Sequence, residues 1–272
     1  MLKRDSGLGA MDDLREYTLA EFLTGQSTNF HSGLPLVHST ESANIWKMLR
    51  EEQVAVTPCD TFTGENLAYF FHGRPAYRKF HKHPQDWELP FVLVLKSTCL
   101  FNIRRIFPFD SGAFFSARLP SYVSRFDQAG YDVSEQGGAV NLLIDIFFGG
   151  DVSYFHGKAK TRQEVARRNG LNMRYAQVLA LCSLYNRENL EADDRSLAIE
   201  IQTDHDVSIK DKLLGVVLPR AYFDDKELKK YFKQRGVQVR QYDIYPINSE
   251  AYVANVYEEV KAIYKKLGLI NG

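Results

Sequence analysis

The sequence has few cysteines, and those it has are scattered. Cys59, Cys99 and Cys182 lie far apart, and none forms a CxxC pair. This spacing argues against a structural zinc site and against a disulfide framework. It favours a reducing, cytoplasmic compartment, and a catalytic cysteine is only a minor alternative.

Long apolar runs are also missing. No uninterrupted apolar stretch approaches the roughly 18 residues that a membrane span needs, so we expect no membrane partner. Residues 1–5, Met-Leu-Lys-Arg-Asp, carry no apolar signal core, which argues against secretion.

Charge of one sign is not in excess either, because 34 basic residues balance 34 acidic ones. Proteins that bind nucleic acid usually carry a basic surplus, so the total charge gives such a partner no support, although a local basic groove is compatible with it. In His81-Lys82-His83 two histidines share a face of an extended segment, but no third ligand is evident, and we predict no metal site.

Apolar and turn patterns predict one mixed α+β domain. We expect an N-terminal helical extension over 1–33 and a single catalytic domain over 34–272, with a long central insertion at approximately 100–190. The predicted strands cover 34–38, 67–71, 91–95, 196–202, 213–218 and 237–242. The predicted helices cover 12–25, a segment that starts at Thr40, 172–185, 227–234 and a last helix capped by Ser249.

Three separated segments carry the residues that point to chemistry. His38 and Thr40 close the first predicted strand, Tyr69 lies in the second, and Glu200 lies in a later strand among apolar neighbours. A carboxylate in an apolar strand is costly to bury unless it is paired, solvated or functional.

In residues 36–77 and 197–201 the chain resembles the ADP-ribosyltransferase superfamily of the His-Tyr-Glu type. Within it, the chain looks most like the DarT-like branch, whose members modify nucleic acids. The resemblance implies split antiparallel β-sheets flanked by helices, with NAD as co-substrate and no metal. Cleavage of the nicotinamide–ribose bond passes through an oxocarbenium-like state, which needs a platform for nicotinamide, a ribose pocket and one carboxylate.

The resemblance also implies a role for each matching residue. His38 and Thr40 would bind the ribose and nicotinamide side of NAD, and Glu200 would be catalytic. Tyr69 would stack on nicotinamide and Tyr77 would close the stack. Arg74, in the turn Gly73-Arg74-Pro75, would grip phosphate.

The function implied is that of an NAD-dependent mono-ADP-ribosyltransferase that releases nicotinamide. It would be a bacterial toxin or anti-phage effector that modifies RNA or DNA and is restrained by an antitoxin. Ala198 stands two residues before Glu200, where arginine-modifying and Rho-modifying toxins have Glu or Gln; this argues against those targets, and another protein acceptor stays open. The alternatives are a binding module for NAD, ADP-ribose or nucleic acid on the same fold, and a transferase that moves a 2′-phosphate from RNA to NAD.

Each of these residues also has a purely structural interpretation. His38 and Tyr69 suit a buried core, Thr40 suits a helix cap, and Glu200 suits the polar face of a strand together with Gln202. The aromatic residues of the insertion either stack on bases or form a small core of their own: Phe114, Phe115, Tyr122 and Phe126.

Overall fold

A computed structural model of the chain describes residues 15–76, 84–186, 194–244 and 252–270. The strands are β1 (Leu36–Glu41), β2 (Gln53–Val54), β3 (Thr57–Pro58), β4 (Asn66–His72), β5 (Pro90–Leu95), β6 (Arg105–Phe107), β7 (Glu200–Thr203), β8 (Val207–Ser208), β9 (Leu213–Pro219) and β10 (Gln238–Tyr242). The first helices are α1 (Leu19–Thr24), α2 (Ile45–Glu51), α3 (Ser111–Phe115), α4 (Ser121–Ser124), α5 (Ala139–Phe147) and α6 (Asp151–Phe155). The later helices are α7 (Arg162–Asn169), α8 (Ala176–Tyr185), α9 (Arg220–Phe223), α10 (Lys226–Gln234) and α11 (Tyr252–Lys266).

A central sheet with strand order β10-β9-β5-β1-β4-β7-β6 organises the molecule, and β3 pairs with β4 beside this path. The pair of β10 with β9 is parallel, and the other neighbours in this sheet are antiparallel. β2 and β8 form a separate antiparallel pair. Helices flank this mostly antiparallel sheet, which confirms the predicted α+β class.

The sheet is weakly joined at its middle. β1 pairs with β5 from Leu36 to Glu41 but with β4 only at Leu36 and Val37. After Val37 the two strands diverge, and the backbone positions from His38 onward no longer face a partner on β4. The sheet therefore divides into a β10-β9-β5-β1 half and a β4-β7-β6 half, and a cleft opens between them.

Gly73 holds β1 and β4 together at their joined end. Its N–H donates to the Pro35 carbonyl oxygen at 2.8 Å, and its φ of +67° is a conformation that favours glycine. A Cβ at this position would lie 2.6 Å from Leu34 Cδ1. The turn after β4 can therefore pack against the start of β1 only with a glycine.

The region predicted as an insertion is helical and belongs to the main core. α3 to α8 lie between β6 and β7 in the chain, and buried residues such as Leu143, Tyr154 and Leu181 join the same apolar cluster as the sheet. The aromatic segment over 100–140 thus has no separate core.

The N-terminal segment packs on the same body from residue 15 onward. The first helix begins at Leu19 after a Thr18–Glu21 capping box, and Leu19 and Leu23 are fully buried. Ser32 Oγ donates to Asp151 Oδ1 and contacts His72 Nε2 at 2.7 Å, which ties the segment to the end of β4.

Several predicted boundaries are corrected. Thr40 lies inside β1 and does not start a helix; a short 3₁₀ turn over Ser42–Asn44 precedes α2. The strand predicted over 196–202 is a 3₁₀ turn followed by β7, because residues 194–197 coil before the strand begins. The predicted cap Ser249 lies outside the described residues, and α11 begins at Tyr252 within them.

Among the helices of the described ranges, none is both long and apolar enough to cross a bilayer.

Candidate functional site

The cleft between the two halves of the sheet has a volume of about 610 Å³, within the range of small-molecule sites. Four of the six predicted site residues line it: His38, Thr40, Tyr69 and Glu200. These residues come from β1, β4 and β7, so the divergence of β1 from β4 is what brings them together.

Glu200 is almost completely buried at the start of β7, with 2% of its surface exposed. Ser111 donates to both carboxyl oxygens, from Oγ to Oε1 at 2.7 Å and from its backbone N–H to Oε2 at 3.1 Å. Gln202 Nε2 donates to Oε1 at 2.6 Å. An ionised carboxylate accepts about four hydrogen bonds, so once Glu200 is ionised these three donors leave one of its acceptor positions unfilled.

Two effects oppose each other at Glu200. Burial raises the pKa of the Glu200 carboxyl, and the negative charge of Asp110 raises it further. The hydrogen bonds from Ser111 and Gln202 lower it, and the net effect is a rise from the usual 4.5 to about 8. Asp110 precedes Ser111 directly and also lines the cleft. The carboxyl is therefore mostly protonated at pH 7 and becomes an anion as the pH rises.

Arg105 and Glu65 fix the orientation of the Gln202 side chain. Its Oε1 accepts from Arg105 Nη1 at 3.2 Å, and Arg105 in turn donates to both carboxylate oxygens of Glu65, at 2.6 and 3.0 Å. This chain of contacts selects the amide orientation in which Gln202 donates to Glu200.

His38 is held by the backbone of β4. Its Nδ1 lies 2.8 Å from the Tyr69 carbonyl oxygen, and a carbonyl only accepts, so Nδ1 carries the proton and Nε2 is the acceptor. Burial lowers the pKa of His38 by more than the hydrogen bond to Tyr69 raises it, so the ring is neutral at pH 7. Thr40, next on the same face of β1, accepts at Oγ1 from Asn44 Nδ2 at 2.9 Å.

Tyr69 is half-buried in the cleft wall and contacts Cys59, a residue that was not predicted to belong to the site. Its hydroxyl lies 2.6 Å from Cys59 Sγ, and the same sulfur accepts from the N–H groups of Thr61 and Phe62. Burial, together with Cys59, raises the pKa of the Tyr69 hydroxyl, so Tyr69 stays a neutral phenol. Cys59 therefore positions the ring that was expected to stack on nicotinamide.

The structure does not bring Arg74 into this cleft. Arg74 has 3% of its surface exposed, and its Nη1 donates to the carbonyl oxygens of Tyr154 and Phe155 at 2.8 and 2.9 Å. The guanidinium also lies over the rings of Tyr154 and Tyr257. These contacts connect the turn after β4 with the helices α6 and α11, and they hold the guanidinium outside the cleft where a phosphate-binding role was expected.

The remaining predicted residue, Tyr77, lies outside the described residues, as do His81 and His83. Within the described ranges, no three His, Cys, Asp or Glu side chains are grouped as a metal ion would require.

Several cleft residues escaped the sequence analysis. One of them, Asp110, has a local signal, because it is the N-cap of α3: its Oδ1 accepts from Ala113 N–H at 2.7 Å. The next residue, Ser111, is buried behind the cleft and was missed as well. The others carry positive charge, and nothing in their local sequence sets them apart: Lys47, Arg118 and Arg195. Lys47 and Arg118 are exposed and form no hydrogen bond or ion pair through their side chains with any part of the chain that the structure describes.

No family model, curated protein or solved structure matches this chain.

Proposed function

We propose that the chain is an NAD-dependent mono-ADP-ribosyltransferase that transfers ADP-ribose to a nucleic-acid acceptor and releases nicotinamide. One observation carries the proposal: the divergence of β1 and β4 creates one cleft lined by His38, Thr40, Tyr69 and Glu200. The split antiparallel sheet that the resemblance implies is compatible with this pairing pattern.

The residues of the cleft supply what the reaction needs. The neutral Tyr69 ring offers a face to the nicotinamide of NAD, and His38 Nε2 and Thr40 Oγ1 offer acceptors to ribose hydroxyl groups. Lys47, on α2 in the wall of the cleft, carries the charge that suits the diphosphate. This assignment moves the phosphate contact from Arg74 to Lys47.

Glu200 acts at the reacting carbon. As the bond between ribose C1′ and the nicotinamide nitrogen breaks, its electron pair goes to the nicotinamide ring, and the ionised Glu200 stabilises the cation that develops on the ribose. An acceptor nucleophile then bonds to C1′, and Glu200 takes the acceptor's proton. Because only the ionised carboxylate does both, turnover increases with pH through the pKa of Glu200, near 8.

The test is nicotinamide release from NAD by the purified chain, wild type beside Glu200→Gln, with separate additions of RNA, single-stranded DNA and extract protein. We expect release by the wild type that one nucleic-acid acceptor stimulates, and a loss of at least a hundredfold in Glu200→Gln with unchanged circular dichroism. Glu258→Gln, at an exposed position of α11, is the matched control and should release nicotinamide at the wild-type rate. Equal release by wild type and Glu200→Gln would end the assignment.

The burial of Glu200, which is 2% exposed and held by three hydrogen bonds from Ser111 and Gln202, favours one second candidate, a module that binds NAD without cleaving it. It is distinguished by NAD binding in calorimetry without nicotinamide release at any pH up to 9.

The proposed cellular role, a bacterial toxin or anti-phage effector restrained by an antitoxin, predicts growth arrest on expression of the wild type and normal growth with Glu200→Gln.

A further inference from the structure

Helix α3 links the buried carboxylate to the rim of the cleft. Its first residue, Ser111, holds Glu200, and Gly112 and Ser116 line the cleft on the same segment. An acceptor that delivers its nucleophile to a ribose beside Glu200 must therefore approach over or next to α3.

The aromatic residues of this region separate into two kinds. Phe114 stacks on Phe109, 5.5 Å between ring centres, and meets Tyr131, so it belongs to the core. Phe115, the next residue, has 52% of its surface exposed. Its ring makes T-shaped contacts with Phe62 and Phe114, at 5.6 and 5.9 Å, which hold it in place without covering it.

A cation follows this ring three residues later in the chain. Ala117 adopts φ +54°, a conformation rare for a residue with a side chain, and this turn lets Arg118 N–H donate back to the Ala113 carbonyl oxygen at 3.0 Å. Arg118 lines the cleft, is exposed, and has no hydrogen-bond or ion-pair partner for its guanidinium among the described residues.

We propose that Phe115 and Arg118 form the acceptor platform, on which an unpaired base of a single-stranded nucleic acid stacks against Phe115 while an adjoining phosphate pairs with Arg118. The inference rests on the proposed function and adds to it the residues that select the acceptor. An open aromatic face and an unpaired guanidinium are complementary to a base and its phosphate. Because basic and acidic residues are equal in number, a broad basic surface does not explain nucleic-acid binding by this chain. Binding would instead depend on individual cations such as Arg118.

The test is binding of a short fluorescent single-stranded oligonucleotide, DNA and RNA in separate series, to the full chain without NAD. Anisotropy is measured over a range of salt concentrations. Phe115→Ala should weaken binding on the order of tenfold, the loss of one stacked base, while Phe115→Trp restores it. Phe115→Leu keeps apolar contact with Phe62 but removes the aromatic face, so it should bind as weakly as Phe115→Ala.

Arg118→Gln should lower the slope of log affinity against log salt by about 0.7, the loss of one phosphate contact on a single strand. The matched controls are Phe101→Ala, at a phenylalanine that is 79% exposed, and Arg125→Gln, at an exposed arginine; both residues lie outside α3 and the turn that follows it. Both controls should bind as the wild type does. Thermal unfolding of each variant establishes that it is folded.

The platform is wrong if the wild type binds neither oligonucleotide, or if Phe115→Ala and Phe101→Ala bind equally. It is also wrong if extract protein, and no nucleic acid, stimulates nicotinamide release, since the acceptor is then a protein. Its failure is separable from that of the proposed function. Binding that depends on Phe115, with no nicotinamide release by the wild type, supports the platform and ends the transferase assignment.

Discussion

Arg74 and Glu200 are both charged residue types that the fold buries, and their surroundings give them different tasks. The guanidinium of Arg74 donates to main-chain carbonyl groups and lies against two tyrosine rings. The carboxyl of Glu200 lies in the cleft wall, and in its ionised form it has one acceptor position that its three donors leave unfilled. The first arrangement stabilises the fold, and the second is available to a ligand.

Arg74→Lys tests this division. Lysine keeps the charge but cannot place a planar group over Tyr154 and Tyr257 while donating to two carbonyl groups, so we expect the free energy of unfolding to fall by about 2–3 kcal/mol. The affinity of the folded protein for NAD should not change. Urea unfolding and calorimetric titration of NAD measure the two quantities.

Lys47→Gln is the matched control, because Lys47 is exposed in the cleft. It should weaken NAD binding and leave the free energy of unfolding within about 0.5 kcal/mol of the wild type. The opposite pattern, with weaker NAD binding in Arg74→Lys and an unchanged free energy of unfolding, would mean that Arg74 and not Lys47 binds the diphosphate.

The sequence could not separate these roles at Arg74. The flanking Gly73 and Pro75 predict a rigid turn, and they do so correctly, but the partners of the guanidinium lie on α6 and α11. These helices follow about 80 and 180 residues later in the chain, and burial by such distant elements has no local signal. Glu200 was easier to interpret because its apolar neighbours are adjacent in the sequence.

At the scale of elements, α3 and β7 act as one unit around the carboxylate. The period of two along β7 places Glu200 and Gln202 on the same face, and the N-cap Asp110 fixes the turn that presents Ser111 to Glu200. A shift of α3 would therefore move two of the three hydrogen bonds that hold the carboxyl group.

Substitutions at Asp110 separate the cap from the charge. Asparagine still accepts from Ala113 N–H, so Asp110→Asn keeps α3 in place, but it removes the negative charge that raises the pKa of Glu200. A lower pKa means that Glu200 ionises at lower pH, so the pH profile of nicotinamide release should move to lower pH. Release measured at half-unit steps from pH 5.5 to 9 gives the shift.

Asp110→Ala removes the charge and the cap together. We expect it to lose about 1 kcal/mol of stability that Asp110→Asn retains. A profile that moves to higher pH in Asp110→Asn, or equal stability of the two variants, would contradict the coupling of Asp110 to Glu200.

Elements with strong local patterns were predicted well. The apolar run over 91–95 and the segment over 213–218 are the strands β5 and β9 with nearly the expected bounds, and 227–234 is α10 within one residue. The prediction that a helix begins at Thr40 was wrong, because Thr40 pairs with Phe91 on β5 and the strand continues through Glu41. Here a long-range hydrogen-bonded pair overrides a local capping signal.

On the scale of the whole molecule, the cleft depends on a feature that no single segment encodes. β1 keeps six paired positions with β5 and only two with β4, and this imbalance opens the space where His38, Thr40, Tyr69 and Glu200 meet. A resemblance of motifs predicted these four residues. No such signal marked Asp110 and Arg118 of the cleft, or Ser111 behind Glu200, because their positions depend on how the helical region between β6 and β7 packs against the sheet.

The end of the sheet at β9 and β10 has a different task, since it provides the surface on which α11 packs. Gly215 on β9 permits this contact: a Cβ there would lie 2.8 and 2.9 Å from Cδ1 and Cγ2 of Ile263. Gly215→Ala should therefore reduce the free energy of unfolding by about 1–3 kcal/mol through overpacking. The rate of nicotinamide release per folded molecule should not change, because none of the residues that line the cleft lies on β9, β10 or α11.

A double-mutant cycle makes this prediction specific. Ile263→Ala alone leaves a cavity and should cost about 2–5 kcal/mol, but in the double variant the new methyl group at position 215 takes up part of that space. The combined loss, measured by urea unfolding, should thus be smaller than the sum of the single losses by more than about 0.5 kcal/mol. Gly137→Ala is the matched control, since a Cβ there meets no atom within 4 Å. Additive losses, or an equal loss in Gly137→Ala, would mean that contact between α11 and β9 does not limit residue 215. A fall in nicotinamide release per folded molecule would mean that packing of α11 on β9 affects the cleft.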